Sequence, residues 1–156
     1  MTDEAKQEFT RRITNANKSE LVVILFEMFD VYVKDAIKLY DAGDLAGMTA
    51  ETGKARNVVR ELINTLDRKY EVADNLYNIY RYVDRLLIDA EVRRKSDTLP
   101  EAAKHMAALG ETFKSVASKD TDKPIMENAE PVYAGMTYGA AGVNETGSGT
   151  GRGFLA

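Results

Sequence analysis

The stretch SELVVILFEMFDVYVKDAIKLYD, residues 19–41, decides the fold, because its apolar side chains recur with the period of an α-helix. One apolar stripe runs from Leu21 to Leu39 at spacings of three and four residues. A second stripe lies one residue further on and consists of Val22, Phe26, Phe29, Val33, Ile37 and Tyr40. A bundle helix normally buries about three positions in seven. We therefore expect the second stripe to lie outside the bundle core.

Three further segments have helical periodicity. They cover residues 45–67, residues 72–95 and a stretch that opens at Asp97 or Thr98 with Pro100 in its first turn. The connections between the four helices are only a few residues long, which makes neighbouring helices antiparallel. The sequence therefore predicts an all-α fold, an antiparallel up-down four-helix bundle.

The bundle, residues 19–118, is expected to have an extension at each end. Residues 1–18 form a leader with a short helix around Glu4–Ile13. Residues 119–156 form a tail that is rich in glycine from Pro124 onward and has no helical period. We expect this tail to be disordered, with transient docking of Tyr133, Met136 and Tyr138 on the bundle as the alternative.

Composition excludes several classes of function. A net charge of −4 over 156 residues argues against a nucleic-acid-binding protein. No apolar run reaches the ~18 residues of a membrane helix, so no membrane insertion is expected. The charged N-terminal stretch does not have the pattern of a cleaved signal peptide, which favours the cytoplasm. The absence of cysteine excludes thiolate chemistry, and no motif indicates a metal, a cofactor or a small-molecule substrate.

His105 is the single histidine and the one candidate for catalysis. A histidine on a four-helix bundle is typical of phosphotransfer domains, but the residues after it, Met106 to Gly110, include no lysine to hold a phosphoryl group. We therefore predict a protein that is not an enzyme. A four-helix signalling or adaptor domain with phosphotransfer at His105 remains the alternative.

The second stripe needs a cover, since leaving such side chains in water forgoes roughly 1.5–3 kcal/mol each. Either the chain's own leader or tail covers it, or another polypeptide lies along it as an amphipathic helix. Phe9 and Ile13 are the apolar residues of the leader. We expect them to shield part of this groove in the free protein.

Three blocks of the sequence resemble a known family. Residues 13–27, ITNANKSELVVILFE, are similar to the opening signature of the flagellin-specific secretion chaperones, the FliS family. Residues 61–67, ELINTLD, and residues 73–82, ADNLYNIYRY, resemble two later blocks of the same family, in the same order. The resemblance covers residues 9–117.

The resemblance implies a binding function without catalysis. Such chaperones bind the C-terminal segment of flagellin in the cytoplasm, prevent its premature polymerisation and deliver it to a component of the flagellar export gate. A flagellin segment of this kind, an amphipathic helix, would fit the second apolar stripe, which is wider than a bundle helix needs for its own core. We assign nine residues to the flagellin groove: Val22, Phe26, Phe29, Val33, Val58, Leu62, Leu76, Tyr80 and Val83.

Overall fold

The computed structural model describes residues 1–126, which form five helices and no strand. The helices are α1 (Asp3–Asn15), α2 (Lys18–Asp41), α3 (Leu45–Asn64), α4 (Val72–Arg93) and α5 (Leu99–Ala117). The predicted all-α class is confirmed. From residue 127 onward the predicted tail lies outside the described residues.

Local signals in the sequence set the ends of α2. Asn17 forms a capping box: its side chain accepts from the Glu20 amide at 2.8 Å, and its own amide donates to the Glu20 carboxylate at 2.9 Å. Gly43 follows the helix at φ +82°, a conformation that glycine adopts without the usual steric cost. Asp44 then caps α3 by accepting from the Gly47 amide at 2.8 Å.

Two helices end earlier than the periodicity predicts, and the leader helix is longer. α3 stops at Asn64, where the Thr65 hydroxyl donates back to the Leu62 carbonyl at 2.7 Å. α4 stops at Arg93, because Arg94 adopts a left-handed conformation, φ 52°, and the Lys95 amide donates to the Ala90 carbonyl. Past α3 the apolar pattern continues to Leu66, and past α4 the next residues, Arg94 and Lys95, are basic residues typical of a helix end, so neither pattern could place these ends.

Helices α2 to α5 pack as a ring. α2 contacts α3 and α5, and α4 contacts the same two helices from the other side. The centre is apolar and is filled by side chains from all four helices, including Phe29, Val59, Leu62, Val83, Leu87 and Leu99, none of which is exposed. None of the helices in residues 1–126 has the length and apolarity to cross a membrane.

The prediction that the second stripe of α2 lies outside the core is wrong. Phe29 and Val33 are fully buried, whereas Met28 and Tyr32 of the first stripe are only partly buried. The reason is α5, which packs along this side of α2. The ring of Phe26 stacks on that of Phe113 with 5.3 Å between centroids. Gly110 permits the close approach, since a Cβ there would lie 3.3 Å from the Cβ of Phe26.

A partly buried ion-pair network joins α3 to α4. The guanidinium of Arg56 donates to Asp84 at 3.0 Å and to Glu91 at 2.8 Å. Burial lowers the pKa of Arg56, but the two carboxylates outweigh it and raise the pKa overall. Removing one partner would leave a charge poorly solvated, so the network favours the present pairing of these two helices.

Candidate partner-binding site

Helix α1 lies along α2 but is not integrated into the core. It has no buried residue, and among the described helices it packs against α2 alone. Phe9 and Ile13 are only partly buried. A helix of 13 residues is marginal in water on its own. The conformation of α1 therefore depends on a shallow contact with α2.

The surface of α2 beneath α1 is a stripe of four residues at spacings of four, which we call the outer stripe: Val23, Glu27, Val31 and Asp35. Its two carboxylates hold α1. Arg12 is paired with Glu27, and the Met1 ammonium is paired with Asp35. The hydrogen bond to Glu27 raises the pKa of Arg12. Since both partners in the Arg12 pair are about one-third exposed, it contributes no more than about 1 kcal/mol.

Three clefts border α1 and show how incompletely it covers α2. The first, about 480 Å³, lies between α2 and α5, with Phe9 at its rim and Phe26, Met106 and Gly110 in its wall. The other two, of about 460 and 430 Å³, lie at the beginning and the end of α1. Val23 and Val31 each line two of the three clefts. A polypeptide that replaced α1 would therefore meet the apolar side chains of Val23 and Val31, interrupted by Glu27 and Asp35, with lysines such as Lys34 and Lys38 at the border.

A model of the family described as "Flagellar protein FliS" matches residues 1–120 of this chain. The chain belongs to the FliS family. One curated relative, the "Flagellar secretion chaperone FliS" of Bacillus subtilis (strain 168), is 21% identical over 108 residues, which are 69% of this chain and 81% of the relative. The match to FliS confirms the family that the three sequence blocks indicate.

The groove residues predicted from the FliS resemblance lie mostly in the interior. Eight of the nine are buried, with exposed fractions between 0% and 8%: Val22, Phe26, Phe29, Val33, Val58, Leu62, Tyr80 and Val83. Leu76 is partly buried against them. These nine residues belong to one hydrophobic cluster, but they do not line an open groove in the free protein. Their contact with flagellin stays a prediction.

The outer stripe is the surface that sequence reasoning missed. Val23 and Val31 are apolar, but Glu27 and Asp35 interrupt them, so the stripe does not stand out in a hydrophobic pattern. Its signal is the combination of apolar residues and carboxylates at a spacing of four. The leader supplies the matching positive charge, because Arg12 pairs with Glu27 of the stripe.

His105 lies where α4 and α5 meet, and it lines none of the three clefts. Its ring is exposed and meets that of Tyr82 edge-on at 5.4 Å between centroids. Its Nε2 is 3.8 Å from a carboxylate oxygen of Glu101, to which the Tyr82 hydroxyl also donates, at 2.6 Å. A neighbouring carboxylate repels a phosphoryl group. These described contacts give the phosphotransfer alternative no support.

Proposed function

We propose that this FliS-family chain is a cytoplasmic flagellar export chaperone. In this proposal it binds the C-terminal helical segment of flagellin, prevents premature polymerisation and delivers the subunit to a component of the export apparatus. It performs no catalysis. The family match and the relative's name support the chaperone function. The observation that carries the binding is α1, a helix without a buried residue laid on an apolar face.

The proposed binding route begins at the outer stripe. α1 contributes few apolar contacts, so a longer amphipathic helix can displace it and gain more burial. Phe9 and Ile13 then act as the shield of the empty site. Because Phe26 lines the first cleft, the buried groove residues become reachable from this side if α5 moves outward. The charge of Glu27 favours a basic residue on the incoming helix, in the place of Arg12.

We further infer that the ring is the antiparallel up-down bundle. The contacts between α4 and α5 support opposite directions for these two helices. Tyr82 meets Glu101, and further along α4 the carbonyl of Leu86 accepts from Thr98, just before α5 begins. The connection of α2 to α3 is three residues long, which also favours an antiparallel pair.

The test is a calorimetric titration with a peptide of the C-terminal segment of flagellin from the same genome. Phe9→Ser weakens the shield and should tighten binding about three- to tenfold, because the open form becomes more populated. Val23→Asp places a charge beneath the incoming helix and should weaken binding at least about tenfold.

Val92→Asp is the matched control, since Val92 is 77% exposed near the end of α4. It should leave binding unchanged. Equal affinity of the Val23→Asp variant and the unmodified protein would place the partner elsewhere. Weaker binding of the Phe9→Ser variant would show that α1 contributes to the complex and does not compete with it.

A further inference from the structure

The segment after α5 returns to the junction between α1 and α2. We call residues 120–125 the strap. Its contacts lie at both ends and in the middle. The Ser19 hydroxyl donates to the Asp120 carboxylate, the Asn17 side-chain amide donates to the Asp122 carbonyl at 3.2 Å, and the Ile125 amide donates to the Ala16 carbonyl at 3.0 Å.

The junction that the strap holds is very short. Ala16 and Asn17 alone separate the two helices, and both have extended backbone conformations. Each is only 3% exposed, which is unusual for a linker. α1 can leave the face of α2 only if the backbone dihedrals of these residues change, because α2 is fixed by its packing against α3 and α5. The junction is therefore the hinge of α1.

Asn17 connects the hinge to both neighbours. Its side-chain oxygen and its amide are used in the capping box of α2, and its side-chain nitrogen is used by the strap. A rotation at this residue therefore breaks the strap contact unless the strap moves too. A rotation at Ala16 likewise breaks the hydrogen bond from the Ile125 amide, since the acceptor is the carbonyl of Ala16 itself.

The strap is weakly attached to the rest of the protein. Its residues from Thr121 to Ile125 are exposed, so it is attached by hydrogen bonds and not by burial. Asp120 organises the segment by accepting from the Asp122 amide at 2.9 Å. A few hydrogen bonds that are only partly buried can open without disturbing the core.

We propose that the strap is a latch on the α1 hinge. While it is bound, α1 is restrained on α2. When it opens, α1 swings away and uncovers the outer stripe. The second half of this proposal, that opening admits flagellin, rests on the proposed function. The restraint of α1 is a property of the free protein and stands independently of it.

Hydrogen exchange in the free, full-length protein tests the latch. Ile125→Pro removes the amide that donates to Ala16, and Ile125→Val is its matched control because it keeps that amide. One hydrogen bond contributes about 1 kcal/mol, so Ile125→Pro should speed exchange of the α1 amides about three- to tenfold. The Ile125→Val variant should exchange like the unmodified protein.

Asp120→Ala removes a second contact and should act in the same direction as Ile125→Pro. The amides of α3 and α4 serve as the internal reference. Unchanged exchange of α1 in both Ile125→Pro and Asp120→Ala would overturn the proposal. Equal acceleration in α1, α3 and α4 would also overturn it, since the strap would then be part of the general stability of the bundle.

The titration with the flagellin peptide separates the latch from the chaperone function. If the latch controls access, Ile125→Pro should bind the peptide more tightly by the same factor by which it opens α1. Faster exchange of α1 together with no peptide binding in any variant would support the latch and contradict the proposed function.

Discussion

At the scale of single residues, Tyr80 is a titratable group whose pKa is strongly raised by burial. Its side chain is 1% exposed and its ring lies 6.3 Å from that of Phe26, centroid to centroid. Burial disfavours the phenolate and raises the pKa of Tyr80 to about 12. The unfolded chain titrates near pH 10. Tyr80 therefore makes the stability of the protein depend on pH in the alkaline range.

The sign of this effect follows from the raised pKa. The contribution of Tyr80 to stability is fully present below pH ~10, and it is lost as the pH rises towards 12 because only the unfolded state releases the proton. The full loss is about 2 to 3 kcal/mol. We expect urea unfolding to show a steeper fall in stability from pH 9 to 11 in the unmodified protein than in Tyr80→Phe. Parallel pH profiles of the two proteins would contradict the burial of this hydroxyl.

At the scale of helices, the contact of α5 with α2 decides which side of α2 faces the core. Gly110 is the closest point of that contact, where an added Cβ would meet Phe26 at 3.3 Å. Such a distance is tight but can be relieved by a shift of a few tenths of an ångström. A larger, branched side chain has no such relief, because Phe26 is itself held between Tyr80 and Phe113.

Substitutions at Gly110 measure this contact. Gly110→Ala should change the free energy of unfolding by no more than about 1 kcal/mol, since the gain in helix propensity offsets the close contact. Gly110→Val should destabilise the protein by about 1–3 kcal/mol, because it overpacks the interface. Urea unfolding compares them, and equal stability of the two variants would mean that α5 is not closely packed here.

The sequence predicts the helices better than it predicts their orientation. Asn17, Gly43 and Asp44 are residue types typical of helix ends, and each lies at a helix end in the structure. The two stripes of α2 are almost equally apolar, and both contribute to the core, so composition could not show that Phe29 and Val33 are more fully buried than Met28 and Tyr32. That choice depends on Phe113 and Gly110, more than eighty residues away from Phe26 in the chain. The outer stripe was missed for the same reason, since only the position of α1 defines it.

At the scale of the whole molecule, the C-terminal region contains the strap and a further stretch after it. Residues 120–125 contact the hinge, and the stretch that contains Tyr133, Met136 and Tyr138 lies outside the described residues. A truncation after Lys119 removes both parts together. A truncation after Met126 keeps the strap, and it is therefore the appropriate comparison.

We expect the chain that ends at Lys119 to bind the flagellin peptide about three- to tenfold more tightly than the chain that ends at Met126, because only the first lacks the latch. The chain that ends at Met126 should bind like the full-length protein if residues 127–156 do not compete for the site. Fluorescence anisotropy of a labelled peptide measures the affinities of these two truncated chains and of the full-length protein. Equal affinity of the two truncated chains would argue against a role of the strap in access.

The closure of the ring by α5 also has a consequence for synthesis on the ribosome. Phe26, Phe29 and Val33 leave the ribosome with α2, but the helix that covers them is the last of the five. At about 5–20 residues per second, the stretch between the ends of α2 and α5 takes on the order of 4–15 s to translate. During that interval the nascent chain carries an uncovered apolar stripe. Variants that weaken the docking of α5 should therefore lower the soluble yield in cells more than they lower the stability of the finished protein.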